Sequence, residues 1–179
     1  MIQERSDELI NAIKKVQRQQ IIGHIIVIAY TTFVIFHICN SKQVSVSQLI
    51  IIGFIALVAL RYPYSSIRRN LLMNRIVIEI LSDDKNITFK IADIFIFFPV
   101  FHKKSIVFTI PINETHFELT NDDFGKLLSK NPIAMKEWTY NGKSYNLTNN
   151  NEQYLILTGF FSDKVENMID SSLSANEAS

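Results

Sequence analysis

Two apolar runs, separated by a few residues, constrain this chain more than anything else in it. Ile21 to Cys39 reads IIGHIIVIAYTTFVIFHIC and carries no formal charge. Val44 to Leu60 opens polar but is unbroken apolar sequence from Leu49 onward. Each is close to the ~20 apolar residues that cross a bilayer. A secretory signal has a shorter apolar core and a small-residue cleavage site, and the first run has neither. Two buried helices of this kind in tandem would need a core that 179 residues cannot provide. The pair therefore predicts two transmembrane helices.

The connection Asn40 to Gln43 is so short that the helices form a hairpin with both flanks on one side. Arg5, Lys14, Lys15 and Arg18 precede it, and Arg61, Arg68, Arg69 and Arg75 follow it, against Lys42 alone in the connection. The positive-inside rule places both termini in the cytoplasm or the mitochondrial matrix. Tyr62 and Tyr64 stand where interfacial aromatics collect. Within the first run, His24 and His37 are more than three turns apart, so they cannot share one metal ion. Helix packing or an interfacial hydrogen bond is their ordinary role, with a haem or metal ligand as the alternative. Gly23 and Gly53 permit close backbone approach, and Cys39, the one cysteine, excludes an intrachain disulfide.

The flanks of the hairpin carry their own patterns. Leu9, Ile13 and Val16 recur at helical spacing beside Ile10. Acids come early (Glu4, Asp7, Glu8) and cations late, which complements a helix dipole. An amphipathic helix over residues 1–20 is expected, lying in the membrane interface or in a partner's groove. Pro63 is expected to break or kink the chain, with Ser65-Ser66 capping a short helix through Leu72. Arg61, Arg68 and Arg69 are candidate contacts to lipid phosphates. Solvated charge is the plainer reading of the same residues.

From Arg75 the apolar period changes to two. Ile76 to Leu81, Ile87 to Ile91, Ile106 to Ile110 and Thr115 to Leu119 read as strands, and His102-Lys103-Lys104 as a turn. Asn121-Asp122-Asp123 predicts the cap of a short helix through Leu128. Asn141-Gly142 predicts a hairpin between Ala134 to Tyr140 and Lys143 to Leu147. Gln153 to Thr158 gives a last strand, and Ser162-Asp163 starts a helix through Ile169. Ile94 to Phe98 is apolar on both faces, so one face needs a cover from a partner or the membrane. Phe95 and Phe97 are the side chains expected to point outward. The predicted class is an α+β membrane protein: a two-helix transmembrane hairpin, then a small antiparallel sheet or barrel with a C-terminal helix. Its parts are an N-terminal helix at 1–20, the hairpin at 21–60, a connector at 61–74, the β-rich domain at 75–170 and a flexible tail at 171–179.

Catalytic patterns are missing from the sequence. One cysteine and four scattered histidines do not make a zinc cluster. No phosphate-binding Gly-rich loop, Gly-x-Ser-x-Gly elbow or His-Glu-x-x-His is present. The paired acids Asp83-Asp84 and Asp122-Asp123 fall at predicted turns or caps. A net charge of +1 argues against a whole-chain nucleic-acid binder. No enzyme activity and no cofactor are expected. Membrane lipids and other membrane-protein subunits are the expected partners.

Three passages resemble a known family: Arg75 to Ile80 with the strand after it, Val107 to Ile112, and Met135-Lys136 through Asn141-Gly142 to Leu147. With Gly159 to Asp163 and its helix, they are similar to mitochondrial inner-membrane proteins of the transmembrane protein 70, 186 and 223 type. The resemblance implies a two-helix hairpin with a β-rich matrix domain. It also implies a non-catalytic role as accessory subunit or assembly factor of a respiratory complex. A second architecture is similar: bacterial antiphage membrane effectors whose β-barrel senses a cyclic nucleotide. There Lys103, Lys104, Tyr140 and Tyr145 would hold the ligand, the membrane would be the bacterial inner membrane, and a second copy of the chain is a candidate partner. A membrane-anchored pleckstrin-like module of structural function is a third.

Overall fold

The computed structural model describes residues 2–40, 45–97, 101–120 and 142–177. The first element is a strand, β1 (Ile2–Arg5), and the first long helix, α1 (Asp7–Cys39), follows after one residue. This corrects the expected helix over 1–20. Ser6 separates the two: its backbone is extended, its N–H donates to the Ile78 carbonyl, and its Oγ accepts from the Leu9 N–H. That is an N-cap, reinforced by Asp7 and Glu8 in the first turn.

The second long helix, α2 (Val46–Met73), starts on a capping box between Ser45 and Gln48. It runs through Pro63, so no break and no separate short helix occur there. Local propensity is overruled because contacts on both sides of the proline hold the helix axis. Tyr62 reaches the Gln20 carbonyl of α1, and Asn70 reaches the Ile96 carbonyl beyond it. Ser65, expected as a cap, instead donates to the Tyr62 carbonyl inside the helix. Both helices are long and apolar enough to cross a membrane, and only 6% of each apolar window is buried.

The β-rich part has two main antiparallel sheets. The first joins β1, β2 (Val77–Ser82), β3 (Asn86–Ile91) and β6 (Val107–Pro111) in that order. In it β1 pairs with β2 from Ile2↔Ser82 to Arg5↔Glu79. The second joins β7 (Phe117–Thr120), β8 (Ser144–Asn149) and β9 (Glu152–Leu157). The sheets meet where the Leu155 N–H donates to the Arg75 carbonyl at 2.8 Å. Separately, β4 (Ile94–Phe97) and β5 (Phe101–Lys103) make a small hairpin beside α2. The passage expected to turn at His102 and Lys103 is thus a strand: Phe95 pairs with His102 and Ile94 with Lys103.

Two apolar clusters divide the interior. Ile80, Ile87, Phe89 and Ile91 face Tyr145, Leu147 and Ile156 across the sheets. The closing helix α3 (Asp163–Glu177) seals that cluster with Val165 and Ile169. This helix continues past Ile169 through most of the expected flexible tail, because Leu173 still packs on the cluster. The second cluster joins the helix bases to the sheets: Leu9, Ile13, Val16 and Met73 pack with Ile76, Ile94, Leu155 and Leu157. The apolar face of the first helical turns therefore docks on the chain's own domain, where an interface or a partner groove was expected.

The predicted helix after Asn121 and the strand before Asn141 lie outside the described residues. The hairpin that is described joins β8 to β9 through Asn150 and Asn151, both at positive φ. Asparagine tolerates that conformation better than most residues.

Candidate functional site

The predicted contact residues fall on two elements, α2 and β4. Arg61 and Arg68 are exposed and two turns apart, so they share a face of α2. Arg69 is half-buried, one residue round the helix. On the hairpin of β4 and β5, Ile94 is sealed in the second cluster, so one face of this apolar run is covered from within the chain. The half-buried Phe95 lies against His102, with ring centroids 4.4 Å apart, and His102 also pairs with Asp93. The side chain of Phe97, and residues Phe98 to Val100, lie outside the described set.

Where the helices reach the domain, their facing surfaces turn polar. The Gln17 side chain reaches toward the Phe95 carbonyl and Asn70 donates to the Ile96 carbonyl, so both helices are stitched to β4. Gln20, Ser66 and Asn70 are each 4% exposed. Gln20 Nε2, Ser66 Oγ and Asn70 Oδ1 find no hydrogen-bond partner among the described residues. His24 lies beside this seam, 2.7 Å from the Gln20 carbonyl and edge-on to Tyr62. His37 is remote and stacks on Phe33. Gly53 faces open space, since a Cβ there would meet nothing within 4 Å. Close helix approach is therefore not its role.

A cavity of about 500 Å³ opens at the foot of α2. Three separate segments build it: the end of α2 with Arg75, Lys103 at the end of β5, and the turn between β8 and β9 with the start of β9. Arg75 and Lys103 are exposed and form no ion pair among the described residues. Thr148, Asn151 and Gln153 add hydroxyl and amide groups. Glu152 is also on the wall and accepts from the Tyr154 hydroxyl at 2.7 Å. Burial, and then that hydrogen bond, push the Tyr154 phenol up to about 12, against the opposing pull of Arg75. Sequence reasoning found Lys103 here but not the others, because no spacing rule connects positions 75, 103 and 148–154.

The remaining ionic cluster is structural. Lys143 bridges Glu166 and Asp170 of α3 at 3.1 and 2.8 Å. The Tyr145 hydroxyl donates to the other Asp170 oxygen at 2.6 Å. Lys143 and Tyr145 hold the Asp170 carboxyl below the usual carboxylate range. Burial, followed by the Asp170 bond, raises the Tyr145 phenol to about 12. Tyr145 is thus a core residue committed to α3, apart from the cavity that Lys103 lines. Tyr140 lies outside the described residues. Asp83 accepts from the Lys85 and Asn86 N–H groups, which closes the turn between β2 and β3. Among the described residues, no three His, Cys, Asp or Glu side chains are grouped to hold a metal ion. Comparison with protein-family models, with curated proteins and with solved structures finds no match.

Proposed function

We propose that this chain is a non-catalytic membrane-anchored accessory protein, with α1 and α2 in the bilayer and the β domain at its surface. One observation carries the reading: the two long helices leave Ile22, Ile25, Phe33, Phe36, Leu49, Phe54 and Leu57 each more than half exposed. A surface of that size and polarity calls for lipid or other helices around it. The pairing of β1 with β2 supports an even number of crossings between them, with the N-terminus on the side of the domain. The charge asymmetry of the flanks supports the cytoplasmic or matrix side. In the form implied by the family resemblance, the membrane is the mitochondrial inner membrane and the partner a respiratory complex. The chain is then an accessory subunit or assembly factor of that complex.

Two measurements test this. Protease treatment of sealed vesicles, with tags at either end, should protect or expose both tags together. Tags on opposite sides would refute the anchored hairpin. Purification in mild detergent should recover respiratory-complex subunits with the chain. Recovery of the chain without them would remove the respiratory form of the proposal and leave the anchor standing.

A further inference from the structure

We propose that the cavity between Arg75, Lys103 and the turn joining β8 to β9 binds a small soluble molecule bearing a phosphate. The site goes beyond the accessory role and does not depend on which complex the chain serves. Its volume of about 500 Å³ falls within the range of small-molecule sites, roughly 300–1,000 Å³. Two cations from distant parts of the chain line it, neither in an ion pair among the described residues, and a single carboxylate, Glu152, shares the wall with them. Such a pair attracts a compact anion, and the Arg75 guanidinium can grip two phosphate oxygens at once.

The other groups on the wall narrow the class. Thr148, Asn151 and Gln153 can hydrogen-bond hydroxyl, carbonyl or amino groups. The Glu152 carboxylate repels a purely anionic ligand and accepts from a donor. A nucleotide or sugar phosphate fits this mixture better than a bare ion. Tyr154 takes no part in stacking with the ligand, because its ring is buried against Phe108 at 4.6 Å.

Geometry separates a soluble ligand from a lipid headgroup. With Arg61 at the membrane surface, Leu71 follows ten residues later on the same helix and its C-cap Asn74 thirteen residues later. At about 1.5 Å per residue, the cavity lies about 15–20 Å beyond that surface. A headgroup in an undisturbed bilayer does not reach so far, whereas a dissolved phosphate compound does.

The full chain, purified in detergent and again in nanodiscs, should be titrated calorimetrically with pyrophosphate and with adenosine diphosphate. Binding of at least one probe is expected, weaker in high salt. Arg75→Gln and Lys103→Gln should each lower affinity about tenfold or more, and Lys104→Gln should leave it within about twofold. A parallel arm compares nanodiscs of phosphatidylcholine with nanodiscs rich in phosphatidylglycerol. Binding that appears only as preference for the anionic lipid, with no response to either soluble probe, would overturn the proposal in favour of a headgroup site. Absence of binding to either probe at about 1 mM, or binding indifferent to both substitutions, would overturn it outright. Two separate substitutions keep the test decisive should one variant fold poorly.

Discussion

Replacing Leu9 by alanine tests whether α1 is part of the β domain or only leads into the hairpin. Leu9 is completely buried, more than three turns before the apolar run, and packs in the cluster of Met73, Ile76, Ile94, Leu155 and Leu157. The substitution removes three carbons. At about 0.8 kcal/mol for each buried methylene, transfer alone is worth about 2.4 kcal/mol. A cavity term adds to this, and buried Leu→Ala changes span about 2–5 kcal/mol. Collapse around the vacated space is restricted here, because Ser6 ties α1 to β2 through the Ile78 carbonyl and Met73 sits on a second fixed helix. A loss of about 3 kcal/mol is expected. The control is Ile25→Ala, at a position 59% exposed on the apolar surface, which should cost under about 0.5 kcal/mol in detergent. The assay is urea unfolding of the full chain in mild detergent, followed by near-ultraviolet circular dichroism of the buried tyrosines. If Leu9→Ala unfolds within about 0.5 kcal/mol of the parent, the second apolar cluster does not join helix to sheet and the docking described above is wrong.

Tyr145→Phe should destabilise by about 1–2 kcal/mol, since it removes one hydrogen bond to a carboxylate and leaves Asp170 its lysine partner; thermal unfolding measures this. The same cluster gives stability a pH signature at both ends. Asp170 is held below its ordinary range, so its contribution is complete above about pH 4 and is lost as pH falls further. Tyr145 and Lys143 are both raised, so theirs is complete below about pH 10 and is lost as pH rises toward and beyond about 12. Unfolding midpoints of wild type and Asp170→Asn across pH should converge at the acid end; parallel curves would show the cluster to be inert. In the turn between β8 and β9, Asn151→Gly should be neutral or mildly stabilising, because φ there is 64°. Asn151→Val should cost about 1–2 kcal/mol, as judged by denaturant midpoint.

The parts legible from sequence are those with a local period. Ile87, Phe89 and Ile91 are buried between the half-buried Thr88 and Lys90, as alternation requires. The uncharged length of Ile21 to Cys39 was enough to mark a helix, which extends back to Asp7. What was missed depends on distant partners. Ile2 to Arg5 offers one apolar residue among polar ones, and only pairing with β2, some seventy residues away, makes it a strand. Phe101 to Lys103 looks polar because its strand lies at an exposed edge, where His102 and Lys103 can stay in water. The tail beyond Ser171 has the composition of a disordered segment, yet Leu173 finds a place on the core. The cavity follows the same rule. Its two cations are twenty-eight residues apart, and nothing local connects them.

Because β1 precedes the helices and its partner β2 follows them, the hairpin is an insertion within a domain and not a stalk attached to its end. During synthesis the first strand emerges long before it has anything to pair with. It must wait, unpaired, while both helices are made and, in the membrane-anchored form proposed here, inserted. The wait has a compensating feature. Two packed antiparallel helices return the chain to its starting point, so closing β1 onto β2 costs far less entropy than closing a flexible loop of the same length. The last stage of sheet formation is thereby tied to formation of the helix pair and, for a membrane-anchored chain, to its insertion. A chain that fails to insert leaves the edge of β2 open, and an open edge recruits other chains. The same connection runs the other way in the finished protein: a shift of either helix pulls directly on a strand or on the residues that frame the cavity, with no slack linker to absorb it.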